Sequence, residues 1–177
     1  EHPVEMMYRD NRLNPIHEGT TGIQSLDLLA RKVPQNGLAG YTACIEAIHE
    51  TIAEARGRDE LGGFADELES AVGTLKEVTD FLLGSMLEKN IDLVLANSVK
   101  YLDVFGNVVI AWMWLKQGVA ASKGLECPLS VADENFYRGK LQAMRYFFRY
   151  ELPEINAWAN LLMTLDDTTH SMKVDWF

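Results

Sequence analysis

Leu38-Ala39-Gly40-Tyr41-Thr42-Ala43-Cys44-Ile45-Glu46-Ala47-Ile48-His49-Glu50-Thr51-Ile52-Ala53-Glu54-Ala55 carries the pattern that decides the fold. Leu38, Tyr41, Ile45, Ile48, Ile52 and Ala55 follow one another in steps of three and four, which places them on one face of a helix. Gly57 and Gly62-Gly63 mark the turn that follows. A second stripe then begins, through Leu61, Phe64, Leu68, Leu75, Val78 and Leu82. Both stripes read as bundle seams.

Downstream, Met86 to Ser122 reads as a third long helical segment, with Leu102, Phe105, Val109, Trp112 and Val119 on one face. Ile110, Met113 and Trp114 add apolar surface elsewhere on it, so the segment is expected at the centre of the bundle. Unbroken, it would span ~55 Å; Gly106 or Gly118 could bend it. Lys123-Gly124 breaks the chain, and Cys127-Pro128 lies in the loop. Ser130-Val131-Ala132-Asp133 has the form of a helix-start capping pair. The last helix carries Phe136, Tyr137, Leu141, Met144, Phe148, Leu152, Ile155, Trp158 and Leu162, and Pro153 should kink it. No strand-period stretch of any length occurs. The expected fold is all-α: an up-down bundle of long antiparallel helices.

Upstream of the bundle the chain is less regular. A helix is expected over Val4 to Leu13, ending near Asn14-Pro15. The loop Ile16-His17-Glu18-Gly19-Thr20-Thr21-Gly22 follows, then a helix from about Ile23 to Val33. Pro34-Gln35-Asn36-Gly37 ends that helix, and a boundary is placed there, with residues 1–36 on one side and 37–177 on the other. The tail from Ser171, ending Asp175-Trp176-Phe177, is expected to be loose or docked on a partner.

The net charge of −10 disfavours a nucleic-acid partner and an anionic membrane surface, both of which call for a basic face. The most apolar run, Val108 to Leu115, is bracketed by Lys100 and Lys116 and is shorter than the ~20 residues a bilayer span takes, so no transmembrane segment is expected. Cys44 and Cys127 are far apart and have no Cys or His at ligand spacing. They read as reduced thiols of a cytoplasmic protein. Glu1-His2-Pro3 resembles no signal peptide and lacks an initiator Met, so the chain is expected to be a piece or processed product of a longer protein.

Helical bundles can house di-iron centres, and Glu46-Ala47-Ile48-His49 supplies one Glu-x-x-His pair. Such a centre needs two pairs and two further glutamates, and no second pair occurs. His2, His17 and His170 form no other ligand set, so no metal is expected. Gly19-Thr20-Thr21-Gly22 precedes a helix and could present N–H groups and hydroxyls to an anion, although such a sequence more often serves as a cap. On spacing alone, Glu18 reads as an acid favoured at a helix N-terminus.

A resemblance adds to this reading. Residues His2 to Thr20, with Pro3-Val4-Glu5, Arg9-Asp10 and Ile16-His17-Glu18-Gly19-Thr20 in order and Ile23-Gln24 at the matching offset, are similar to the last catalytic motif of acyl-CoA dehydrogenases. Residues 38–177 resemble, in length, helix pattern and position, the helical domain appended to larger bacterial members. Two departures stand out. His17 replaces the usual Tyr, a change expected to alter acyl-chain selectivity. Gly22 replaces a residue that is often polar, so no side-chain cofactor contact is expected from it.

The resemblance implies an FAD-dependent oxidation of acyl-CoA to trans-2-enoyl-CoA. Glu18 would be the base that takes the α-proton, and His17 and Gly19 would lie against the substrate. Thr20 and Gly22 would lie against FAD. It also implies an electron-transfer flavoprotein as electron acceptor and a homo-oligomer. Most of the FAD site would lie upstream, so these residues alone are expected neither to hold FAD nor to turn over substrate. Two other functions fit the same sequence: a non-catalytic helical interaction module, and an acyl-CoA oxidase-type flavoenzyme.

Overall fold

A computed structural model describes residues 3–14, 17, 19–88, 91–127 and 130–177. Among them the chain is helical and forms no strand: α1 (Val4–Asn11), α2 (Thr21–Asp27), α3 (Gln35–Arg56), α4 (Gly62–Glu88), α5 (Ile91–Leu95), α6 (Ser98–Leu125), α7 (Val131–Tyr146) and α8 (Ile155–Met163). A wide π-type turn, Leu28–Lys32, extends α2, and a second, Phe147–Glu151, extends α7.

The bundle is built from α3, α4, α6 and the α7–α8 pair, running up, down, up and down. Cross-contacts give the directions. Arg56 bonds Asp66 at the α3–α4 turn while His49 meets Glu69 further along, so α3 and α4 are antiparallel. Thr51 accepts from Trp112 Nε1 at 2.7 Å and Glu54 pairs with Lys123, so α3 and α6 run in parallel. Both stripes read from the sequence are seams. Tyr41, Ile45, Ile48, Ile52 and Ala55 of α3 are buried, as are Leu61, Leu68, Leu75, Val78 and Leu82 on and just before α4. Each has a polar opposite face, so only one orientation buries the apolar residues.

The segment from Met86 to Ser122 is not one helix. α4 runs on to Glu88, α5 is a short piece, and a turn at Ala96-Asn97 precedes α6. Asn97 has a non-helical backbone (φ −108°, ψ 25°), and its side chain donates to the Asp166 carbonyl at 2.8 Å. The chain must reverse there, because Thr79 and Tyr101 meet across antiparallel α4 and α6. The overlooked signal is Asn97-Ser98, two residue types that favour helix starts over helix interiors.

The buried face of α6 is also turned by about one residue from the expected one. Of the expected face Val119 is buried, whereas Leu102, Phe105, Val109 and Trp112 are half-buried; Tyr101, Val104, Val108, Ala111 and Leu115 are buried in their place. A helix apolar on nearly every side gives periodicity little to choose between. Small residues decide the packing: a Cβ at Gly118 would strike Met144 Sδ of α7, and one at Gly124 would strike the Tyr137 ring. The central position expected for α6 holds, since it packs on α2, α3, α4, α7 and α8. By length and composition alone α6 could cross a bilayer, yet one face of it lines the bundle core.

Two local expectations hold at residue level. Ser130 caps α7, its Oγ accepting from the Asp133 N–H at 3.1 Å. The helix breaks at Pro153, where a 3₁₀ turn, Leu152–Glu154, joins the π-type turn to α8. Proline supplies no N–H there and its ring displaces the preceding turn.

Candidate functional site

The residues singled out as a site run from the stretch between α1 and α2 into the first turn of α2, where Gly22 lies. Glu18, the expected base, lies outside the described residues, as do Pro15 and Ile16. The structure places the others in one short, largely exposed turn. The His17 N–H bonds the Leu13 carbonyl at 3.0 Å, continuing the turns that close α1. Gly19 has φ 123°, in the region that L side chains avoid, so the residue type is dictated by the backbone. A Cβ there would also face the Gln24 amide at 3.4 Å and the Ile23 side chain at 3.7 Å.

Thr20 is extended (φ −74°, ψ 159°) and occupies the N-cap of α2, but its hydroxyl makes no cap bond. The cap reading of this threonine is therefore only half met: the position is right, and the side chain is not used for it. The Thr20 carbonyl accepts from the Gln24 N–H at 3.0 Å and starts the helix. Gly22 is exposed, with open space where a Cβ would be.

This turn is held to the bundle from its C-terminal side. Ser25 is buried; its Oγ donates to the Gly22 carbonyl at 2.8 Å and lies 3.0 Å from Ser98 Oγ at the start of α6. Leu29 and Val33 then enter the same core as α3 and α4. On the outer side Arg31 forks onto Asp27, with Lys32 3.5 Å away. The hydrogen bond from Arg31 is the largest cause holding the Asp27 carboxyl below its ordinary value. Sequence reasoning missed the Ser25–Ser98 link, because nothing local announces a pairing across 73 positions.

The remaining candidate group lies elsewhere. His49 faces Glu69 of α4 at 3.4 Å, a half-exposed polar pair on the bundle surface. Among the described residues no three His, Cys, Asp or Glu side chains come together as a metal site.

Residues 44–173, which include α4 to α8, match the family model for acetyl-CoA dehydrogenase C-terminal-like domains. The chain belongs to that family. It is 26% identical over 172 residues to a broad-specificity linear acyl-CoA dehydrogenase, FadE5, of Mycobacterium tuberculosis, covering 94% of this chain and 28% of that protein. It is 33% identical over 159 residues to a 3-methylmercaptopropionyl-CoA dehydrogenase of Ruegeria pomeroyi, covering 87% of this chain and 26% of that protein. A butyryl-CoA dehydrogenase of Syntrophomonas wolfei is 26% identical over 156 residues, covering 88% and 25%. The chain thus spans about a quarter of the length of these relatives. The first of these covers more of the chain than the residues after Thr20 could supply, so that likeness reaches into the segment that carries the motif.

Proposed function

We propose that this chain is the C-terminal part of a flavoprotein acyl-CoA dehydrogenase and contributes the catalytic base, Glu18, to its active site. One observation carries the reading: a family whose named relatives are acyl-CoA dehydrogenases coincides, on one chain, with the ordered motif Ile16-His17-Glu18-Gly19-Thr20. The α-proton of an acyl thioester is weakly acidic, so its removal needs a positioned base. A carboxylate closed in by ligand loses water, and its basicity rises toward the working pH. Gly19 suits the close approach of backbone to a thioester, since its conformation excludes a side chain. His17 borders the base and bears on acyl-chain selectivity.

The residues present fit part of an FAD site. Thr20 is exposed with its hydroxyl not committed to the cap, and nothing crowds the space beside Gly22. When bound, FAD would take the hydride from the β-carbon. Thr20 and the Gly22 backbone would supply one edge of its pocket, with the rest coming from outside these residues. The isolated chain is therefore expected to be inactive. An electron-transfer flavoprotein as acceptor completes this reading, and the free Cys44 and Cys127 suit a reducing compartment such as the cytoplasm.

The test is Glu18→Gln in the longer protein, assayed with an artificial electron acceptor. Turnover should fall by at least ~10²–10⁴-fold, with flavin content and acyl-CoA binding retained. An acid serving only the helix start would instead cost ~0.3–1 kcal/mol of stability and leave chemistry alone. Turnover close to that of the parent enzyme removes Glu18 from the mechanism.

A further inference from the structure

Ser25 is the first buried residue of the chain among the described residues; those before it are exposed or half-buried. It is polar at a place where an apolar side chain would gain more from burial. Its hydroxyl gives its single hydrogen to the Gly22 carbonyl at 2.8 Å, so across the 3.0 Å contact with Ser98 it can only accept. The order of the tie is therefore fixed: Ser98 donates to Ser25, and Ser25 donates to the first turn of α2.

Ser98 is itself held. It opens α6 and is buried. Beside it, Asn97 leaves the helical conformation and donates its side-chain amide to the Asp166 carbonyl at 2.8 Å. One turn further on, Tyr101 meets Thr79 of α4. Polar contacts thus join residues 22–25, 97–101 and 166, three stretches remote in sequence. Satisfied hydrogen bonds of this kind fix distance and direction, which apolar packing alone leaves freer.

The other end of the tie reaches the candidate site within one helical turn. The Gln24 N–H bonds the Thr20 carbonyl at 3.0 Å. The Ile23 and Gln24 side chains lie against Gly19, 3.7 and 3.4 Å from where its Cβ would be, and Gly19 adjoins Glu18 in sequence. On the N-terminal side α1 buries nothing, so the contact with the bundle that fixes this stretch comes through α2. Ser25 stands only ~8 Å along the helix from Thr20, so a shift of the anchor is felt at the turn.

We infer that Ser25 and Ser98 are positioning residues for the candidate base: through them the bundle holds the first turn of α2, and with it residues 18–20, in the register that presents the base to the α-proton. Neither serine touches substrate or flavin in this scheme; both act through the turn. The inference rests on the reading of Glu18 as the base.

Ser98→Ala in the longer protein tests it, because it removes the donor and leaves the Ser25–Gly22 bond in place. With an artificial electron acceptor, kcat should fall roughly three- to tenfold, since one hydrogen bond can bias the turn by no more than its own worth. KM and flavin content should stay as in the parent protein. In the substrate-free protein, hydrogen exchange of the peptide covering residues 19–27 should quicken by a similar factor, while α4 and the rest of α6 keep their protection. In a Ser25→Ala background Ser98→Ala should add nothing, since Ser98 acts only through Ser25. If Ser98→Ala loses helical content, Ser25→Ala and the exchange over 19–27 decide. An unchanged kcat overturns the inference. So does a loss shared equally by KM or flavin content, an unaltered exchange over 19–27, or effects of the two substitutions that multiply. Glu18→Gln, run alongside, keeps the two readings apart. If it abolishes turnover and Ser98→Ala does not slow it, the base stands and the positioning role falls. If Glu18→Gln leaves turnover intact, both fall.

Discussion

α1 and α3 are both helices with apolar residues at helical spacing, and they fare oppositely. α3 buries Tyr41, Ile45, Ile48, Thr51, Ile52 and Ala55. α1 buries nothing: Val4, Met6, Met7 and Tyr8 are each about 60% exposed. The segment between them grades from one state to the other, with the motif turn largely exposed and Ser25, Leu29 and Val33 sunk into the core. The residues that resemble a catalytic motif thus lie where this chain provides least packing, while the family match rests on the part with most. The Ser25–Ser98 contact anchors the C-terminal side of that turn to the bundle.

The sharpest way to break this comparison is to truncate one side chain on each side of it. Leu75 is completely buried on α4. Leu75→Ala should cost ~2–5 kcal/mol, for lost transfer energy and the cavity left behind. Met7→Ala on α1 should stay within ~0.5 kcal/mol of the parent chain. Thermal unfolding followed by circular dichroism reads both, with the first midpoint falling by roughly 2–4 °C per kcal/mol. Similar losses at the two positions would mean that α1 is held by the bundle after all.

How far the sequence could be read depended on local contrast. The seams of α3 and α4 were legible because charged residues such as Glu46, Glu50, Lys76 and Glu77 mark their outer faces. The Pro153 break and the Ser130 cap were legible because each is local chemistry. α6 was legible as the central helix but not in its facing, since an apolar residue at nearly every position hides the period. Its start was missed because a reversal at Asn97 is demanded by packing of α4 against α6. In the candidate site, Gly19 and Thr20 stand out by residue type and order alone. The positive φ of Gly19 and the hold of Ser98 on Ser25 are products of the fold.

A smaller effect is expected where a cap, not a core side chain, is removed. Ser130→Ala deletes the acceptor for the Asp133 N–H and the hydroxyl that bonds Asp133 Oδ2 at 2.7 Å. Loss of such a cap typically costs ~1 kcal/mol. The change should lower the urea midpoint without altering the slope of the transition, because the surface exposed on unfolding stays the same. A loss as large as that of Leu75→Ala would show that the loop before α7 takes part in the core.

The finest contrast lies between two tyrosines inside the bundle. Thr79 Oγ1 donates its single hydrogen to the Leu75 carbonyl at 2.7 Å, so in its 2.9 Å contact with Tyr101 the tyrosine must be the donor. The Tyr41 hydroxyl is buried with no hydrogen-bond partner among the described residues. Tyr101→Phe should therefore cost ~0.5–1.5 kcal/mol, whereas Tyr41→Phe should be neutral or slightly stabilising. Alkaline pH sharpens the distinction. Burial is the main cause raising both hydroxyls above the ordinary value of 10.0, Tyr101 the more strongly. Above about pH 10 the unfolded chain loses these protons first, so it binds fewer than the folded chain and stability falls as pH rises. The contribution is complete below pH 10 and is lost progressively above it. Urea midpoints at about pH 8 and pH 10.5 should converge more in Tyr101→Phe than in Tyr41→Phe, since the more strongly raised group drives more of the loss. The reverse ranking would mean that the Tyr41 hydroxyl, not that of Tyr101, is the better buried acid.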